Sequence, residues 1–175
     1  MKTGHTSFMS ERSPNDGHKQ NIIEKSHNYA GIGYYISENQ FRYYEEFIDR
    51  YFVFEDIPDR VSTGQPFNIT FKPGGEFFPY FIIVYYEKFP SPVKPAQLRR
   101  RSSYQDYTGE IYLRIAAWNI AGYKKGIWYT VPMKFSKEGL YYIHIYYDKK
   151  EITRPESLNT KGRSPASGIV IKAFK

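Results

Sequence analysis

Apolar and polar side chains alternate with a two-residue period along much of this chain, the signature of strands with one buried and one wet face. In Phe67-Asn68-Ile69-Thr70-Phe71 the odd positions are apolar and the even ones polar. Ile111, Leu113 and Ile115 repeat the pattern, and Ile127, Tyr129, Val131, Met133 and Phe135 extend it over nearly ten residues. From Tyr80 to Tyr86 both faces are apolar, which predicts a central strand. From Gly139 the alternation sends Tyr141, Ile143, Ile145 and Tyr147 inward and Tyr142, His144 and Tyr146 outward. Gly168 to Phe174 predicts the last strand. Turn residues separate these segments at Lys72-Pro73-Gly74-Gly75 and Asp148-Lys149-Lys150-Glu151. Pro90, Pro92 and Pro95 interrupt regular structure, with Pro95 placed to start a short helix running toward Arg101.

The first part of the chain reads differently. Ser13-Pro14-Asn15-Asp16-Gly17 is a run of turn formers. His18, Gln20, Ile22 and Ile23 then occupy a segment long enough for about two helical turns. Gly31-Ile32-Gly33 opens an extended run, and Phe41 to Tyr51 forms another across Ser37-Glu38-Asn39-Gln40. Asp56-Ile57-Pro58-Asp59-Arg60 reads as a linker, because Pro58 and the charges around it interrupt any ladder. The expected division is therefore 1–56 and 57–175.

The string Ser13-Pro14, Gly17-His18, Asn21-Ile22-Ile23, then Gly31-x-Gly33 and an aromatic strand ending in Glu46-Phe47 resembles the C-terminal part of the CAP superfamily, the SCP or pathogenesis-related-protein family. That resemblance implies a partial α+β segment of one short helix and two or three strands. Family members carry a cleft of two His and two Glu that sometimes holds a divalent metal such as zinc, and His18 takes the place of one of those histidines. The resemblance puts the other His and both Glu upstream of Met1, so the start of the chain is expected to be internal to a longer domain. It also implies an extracellular or cell-envelope location and a glycan, lipid or protein ligand. The second part, with Gly139-Leu140-Tyr141-Tyr142-Ile143 at the entry of a strand, resembles the tyrosine corner of immunoglobulin-like sandwiches, with Ile143 where a disulfide cysteine would sit. The expected fold is mainly β: the CAP-type segment, then an immunoglobulin-like antiparallel β-sandwich of about six or seven strands.

Composition sharpens this picture only in places. The 18 Tyr and 13 Phe among 175 residues favour strands and exclude a coiled coil or a disordered chain. With no cysteine, a disulfide framework is excluded. No apolar run reaches the ~20 residues of a transmembrane helix, and the first residues do not read as a signal peptide. The net charge of +7 allows anionic partners without naming one. Arg99-Arg100-Arg101 near Tyr104 and Tyr107 is the one basic, aromatic cluster; a three-residue run in a proline-rich loop argues against a nucleic-acid site.

Candidate chemistry is sparse. His5 and His27 could join His18 at a metal, but two or three His without spaced carboxylates make a weak ligand set. Glu45 and Glu46 are neighbours on one strand, so they face opposite ways and do not form an acid/base pair. Neither a phosphate loop nor a Gly-x-Ser-x-Gly elbow occurs. The outward row Tyr142, His144 and Tyr146 either stacks on a ligand or lies under a neighbouring loop. Asn68-Ile69-Thr70 is a glycosylation sequon with Asn68 on the wet face. These observations favour a non-catalytic binding module. The alternatives are a metal-assisted, hydrolase-like site at His18, completed by upstream residues or another subunit, and a structural accessory module.

Overall fold

Turn formers and a two-residue period set the first fifty positions into two short helices and a hairpin. The computed structural model describes residues 2–100, 109–163 and 165–175; Arg101, Tyr104 and Tyr107 lie outside them. Helix α1 (Lys2–Met9) precedes the turn residues, and α2 (Gly17–Ile23) follows them. Strands β1 (Tyr29–Ser37) and β2 (Gln40–Ile48) pair antiparallel in continuous register from Tyr29↔Ile48 to Ser37↔Gln40. Opposed residues share a face. One face therefore carries Ala30, Ile32, Tyr34 and Ile36 with Phe41, Tyr43, Glu45 and Phe47.

The remaining elements are β3 (Phe52–Phe54), β4 (Arg60–Ser62), β5 (Pro66–Pro73), β6 (Phe78–Glu87), α3 (Pro95–Leu98), β7 (Glu110–Ala116), α4 (Ala117–Ala121), β8 (Lys124–Lys125), β9 (Trp128–Lys134), β10 (Gly139–Asp148) and β11 (Ile169–Phe174). They form a five-stranded sheet in the order β4-β11-β10-β6-β7 and a four-stranded sheet in the order β3-β5-β9-β8. All pairings are antiparallel except β11 with β4. The fold is mainly β, as the alternation predicts.

One core joins the two sheets. Phe52, Ile69, Phe71, Tyr129, Val131 and Met133 come from the four-stranded sheet, and Ile82, Val84, Tyr141, Ile143, Ile145 and Ile171 from the other. Each fully buried Ile or Val contributes about 1.5–3 kcal/mol relative to exposure. The doubly apolar β6 is flanked by β10 and β7, and Tyr80, Ile82, Ile83 and Val84 are buried on its two faces. The alternation along β10 runs on to its end, with Tyr146 buried on one face and Tyr147 against the core on the other, and the bulge in the β10–β6 pairing leaves Tyr80 of β6 as the extra residue.

Tyr141 ties the entry of β10 to the residues just before it. Its hydroxyl donates to the Lys137 carbonyl at 2.8 Å and accepts from the Lys137 N–H at 3.2 Å. The chain divides into Met1–Arg50 and Tyr51–Lys175. Phe52 to Phe54 pairs with β5, so residues 51–56, assigned to the first unit on sequence, belong to the second. Pro58 does interrupt pairing, but between β3 and β4 of that same unit.

Candidate functional site

Each histidine of the first unit is tied to its own carboxylate. Six residues upstream of α2, Glu11 folds back over the start of that helix. Its Oε2 accepts the backbone N–H groups of His18 at 3.1 Å and Lys19 at 3.4 Å, two donors that the first helical turn leaves without internal partners. Its Oε1 lies 2.7 Å from His18 Nδ1. Burial acts to raise the Glu11 pKa, but the His18 contact and the two N–H groups prevail and hold it below the usual value. The His18 ring stacks on Phe8 at 4.5 Å and remains largely exposed. An open depression of about 710 Å³ surrounds it, lined by Glu11, Asn15, Gly17, His18 and Asn21.

His27 is a clamp. Its Nδ1 lies 2.7 Å from Asp49 Oδ1 and its Nε2 3.1 Å from Asn21 Oδ1, so both ring nitrogens are engaged. The contacts join α2 to the end of β2, and the ring stacks on Phe47. His5 Nδ1 lies 2.8 Å from Glu45 Oε1, which also accepts the Tyr43 hydroxyl at 2.6 Å. The Glu45 side chain is only 7% exposed, and its Oε2 is buried with no partner. The Tyr43 hydrogen bond is the main cause holding the Glu45 pKa low, and it raises that of Tyr43 in turn. Glu46 is exposed on the opposite face, as expected.

The three imidazoles therefore serve three separate contacts. Among the described residues, no group of three or more His, Cys, Asp or Glu could hold a metal ion. A zinc site takes three or four protein donors, and His18 with Glu11 supplies two, one already occupied by the helix. Alone, these residues do not fit a metal. Sequence reasoning did not single out Glu11, although it stands only seven positions before His18.

Beside these pairs, His5, Thr6, Ile22, Ala30, Gly31, Ile32, Tyr43, Glu45 and Phe47 line a mainly apolar pocket of about 490 Å³. Toward the hairpin turn the same face runs on uncovered: Ile32, Tyr34, Ile36 and Phe41 are 65, 62, 66 and 52% exposed.

The row Tyr142, His144 and Tyr146 points away from the main core, as the alternation requires, but it is covered. Tyr146 is 8% exposed in a second cluster with Tyr80, Ile83, Ala117 and Ile152, against which Trp118 and Leu158 pack. His144 meets the Tyr85 ring edge-on at 5.2 Å, and the Tyr142 hydroxyl donates to Glu87 at 2.8 Å. Asn68 is exposed on β5.

No protein-family model matches the chain, and no curated protein matches it. No helix among the described residues is long and apolar enough to cross a membrane.

Proposed function

We propose that this chain is a non-catalytic binding protein of the CAP type, extracellular or envelope-associated, with part of a CAP-like domain in residues 1–50 and an immunoglobulin-like sandwich in 51–175. The apolar hairpin face carries the reading. Ile32, Tyr34, Ile36 and Phe41 share one side of a two-stranded sheet and stay open to solvent, continuous with the Glu45 pocket. An exposed apolar patch of this kind marks a contact surface. The Tyr141 corner and the shared core of the two sheets support the sandwich reading of the second unit.

The test replaces Ile32, Ile36 and Phe41 together by Ser. Retention is measured on insoluble cell-wall glycan and on phosphatidylcholine vesicles, and self-association by sedimentation. The wild type should bind in at least one assay and the triple variant should lose that binding. Equal behaviour of the two proteins, or no binding by the wild type, would sink the reading.

A second reading rests on His18, whose exposed ring opens onto the depression beside Glu11. Here a metal-assisted site would be completed by groups from upstream or from another subunit. Equilibrium dialysis against zinc decides it: the same stoichiometry in wild type and His18→Ala removes the reading.

A further inference from the structure

A second exposed feature lies on the other unit, at the turn joining β8 to β9. Lys125 pairs with Trp128, which leaves Gly126 and Ile127 as a two-residue turn. Gly126 has φ of 61°, in the left-handed region that such tight turns require. The second turn position favours Gly, Asn or Asp, yet Ile127 occupies it with its side chain 63% exposed. A β-branched apolar residue at the apex of a tight turn contributes nothing to the turn and buries nothing in the core.

The surroundings are basic and amphipathic. Lys72 Nζ lies 4.9 Å above the Trp128 ring. Lys124 pairs with Glu151 at 2.6 Å, and Lys149 lies two residues before that glutamate, exposed. Lys150 has Glu156 at 3.7 Å, and Asp148 is taken by Arg163 at 2.7 Å. Among the described residues, Lys72, Lys125 and Lys149 have no carboxylate within ion-pair distance. The result is one protruding aliphatic side chain, a half-buried indole behind it and a surplus of ammonium groups around both.

We propose that this tip, Ile127 and Trp128 flanked by Lys72, Lys125 and Lys149, docks on an anionic phospholipid surface. Ile127 enters the headgroup layer while the lysines meet the phosphates and keep their stems along the apolar boundary. Trp suits that boundary because its ring is apolar and its N–H is not. A nucleic acid would use the lysines but has no place for an aliphatic apex, so the lipid surface fits both halves of the feature. The inference concerns residues 51–175 and does not depend on the reading of the hairpin face.

The full chain is sedimented with vesicles of phosphatidylcholine, with and without phosphatidylserine, at low and high salt. Binding should require phosphatidylserine and fall with salt. Lys125→Ala and Lys149→Ala should each weaken it about five-fold. Ile127→Asn, which suits the turn better than isoleucine and so preserves the fold, should weaken it about ten-fold or more. With Trp118→Phe the emission of Trp128 alone should shift to the blue and be quenched by acyl chains bearing bromine. In the unmodified chain, which has two tryptophans, partial quenching is the counterpart. No binding to anionic vesicles, retention unchanged by Ile127→Asn, or an unquenched Trp128 would each overturn the proposal. So would RNA binding of equal strength that is insensitive to Ile127→Asn. Substitutions on the hairpin face should leave the anionic-vesicle result unchanged, which separates failure here from failure there.

Discussion

Removing one oxygen from Tyr141 tests the contact that ties the entry of β10 to Lys137. The Tyr141 ring has no exposed surface. It stacks on Phe135 at 3.7 Å and meets Tyr112 edge-on at 5.0 Å. Tyr141→Phe keeps this packing and deletes only the two hydrogen bonds to Lys137. Each is worth about 0.5–1.5 kcal/mol net, and exposed Lys137 regains part of the loss from water. The expected cost at neutral pH is about 1–2 kcal/mol, a fall in Tm of about 3–8 °C.

High pH should then erase the difference. Burial is the main cause pushing the Tyr141 pKa up to about 12 from the ordinary 10.0. The folded state holds its proton where the unfolded chain has begun to release one. Stability from the neutral hydroxyl is thus complete below the unfolded value and is lost as pH rises toward the folded one. At about pH 11 the wild type should have lost about 1.4 kcal/mol that the phenylalanine variant never had, so the two should be nearly equally stable. Urea unfolding of both proteins from about pH 8 to 11, followed by near-ultraviolet circular dichroism, measures the gap; other tyrosines titrate in both and cancel. A gap that stays constant across this range would refute the buried-corner reasoning.

Two further substitutions probe other contacts. Gly139, at φ of 152°, opens β10 where a Cβ would strike the Glu87 carbonyl oxygen and the Tyr86 ring. Gly139→Ala should therefore cost about 3 kcal/mol or more, read from the urea midpoint; a loss below about 1 kcal/mol would mean that the strands yield easily. In the first unit, Tyr43→Phe removes the chief contact holding the Glu45 carboxyl below its ordinary value. Its titration midpoint, followed by carbon NMR, should rise. Because a depressed carboxylate supplies stability above its unfolded pKa and loses it as pH falls, the variant should also lose less stability than wild type on acidification.

The strands were legible wherever alternation was long and bounded by turn residues. β6, β7, β9, β10 and β11 stand where the pattern puts them, as do α2, α3 and the first hairpin. α1 was missed because its eight residues carry neither a capping signal nor a regular apolar stripe. α4 was missed because it follows β7 with no breaker, its cap being Ala116. β3 and β4 have three residues each, too few for a period to show. The pairing of β3 with β5 is what moves the division to Arg50.

Partnership across distance was the harder part. Alternation correctly told which way Tyr142, His144 and Tyr146 point, but a period along one strand carries no information about what crosses over it. Ile152, Leu158 and Trp118 cover that side, and none belongs to β10. The histidines show the same gap in another form. His5 finds Glu45 at a separation of 40 residues and His27 finds Asp49 at 22, contacts that exist only once the hairpin has folded against the helices. His18 meets Glu11 at a separation of only seven, but the residue that the sequence puts at the capping position of α2 is Asp16. Asp16 makes no side-chain cap bond, and Glu11 takes up the free N–H groups in its place. What Glu11 does for α2 also limits what it can offer at His18: a carboxylate holding the first turn of a helix cannot move to a metal without releasing that turn.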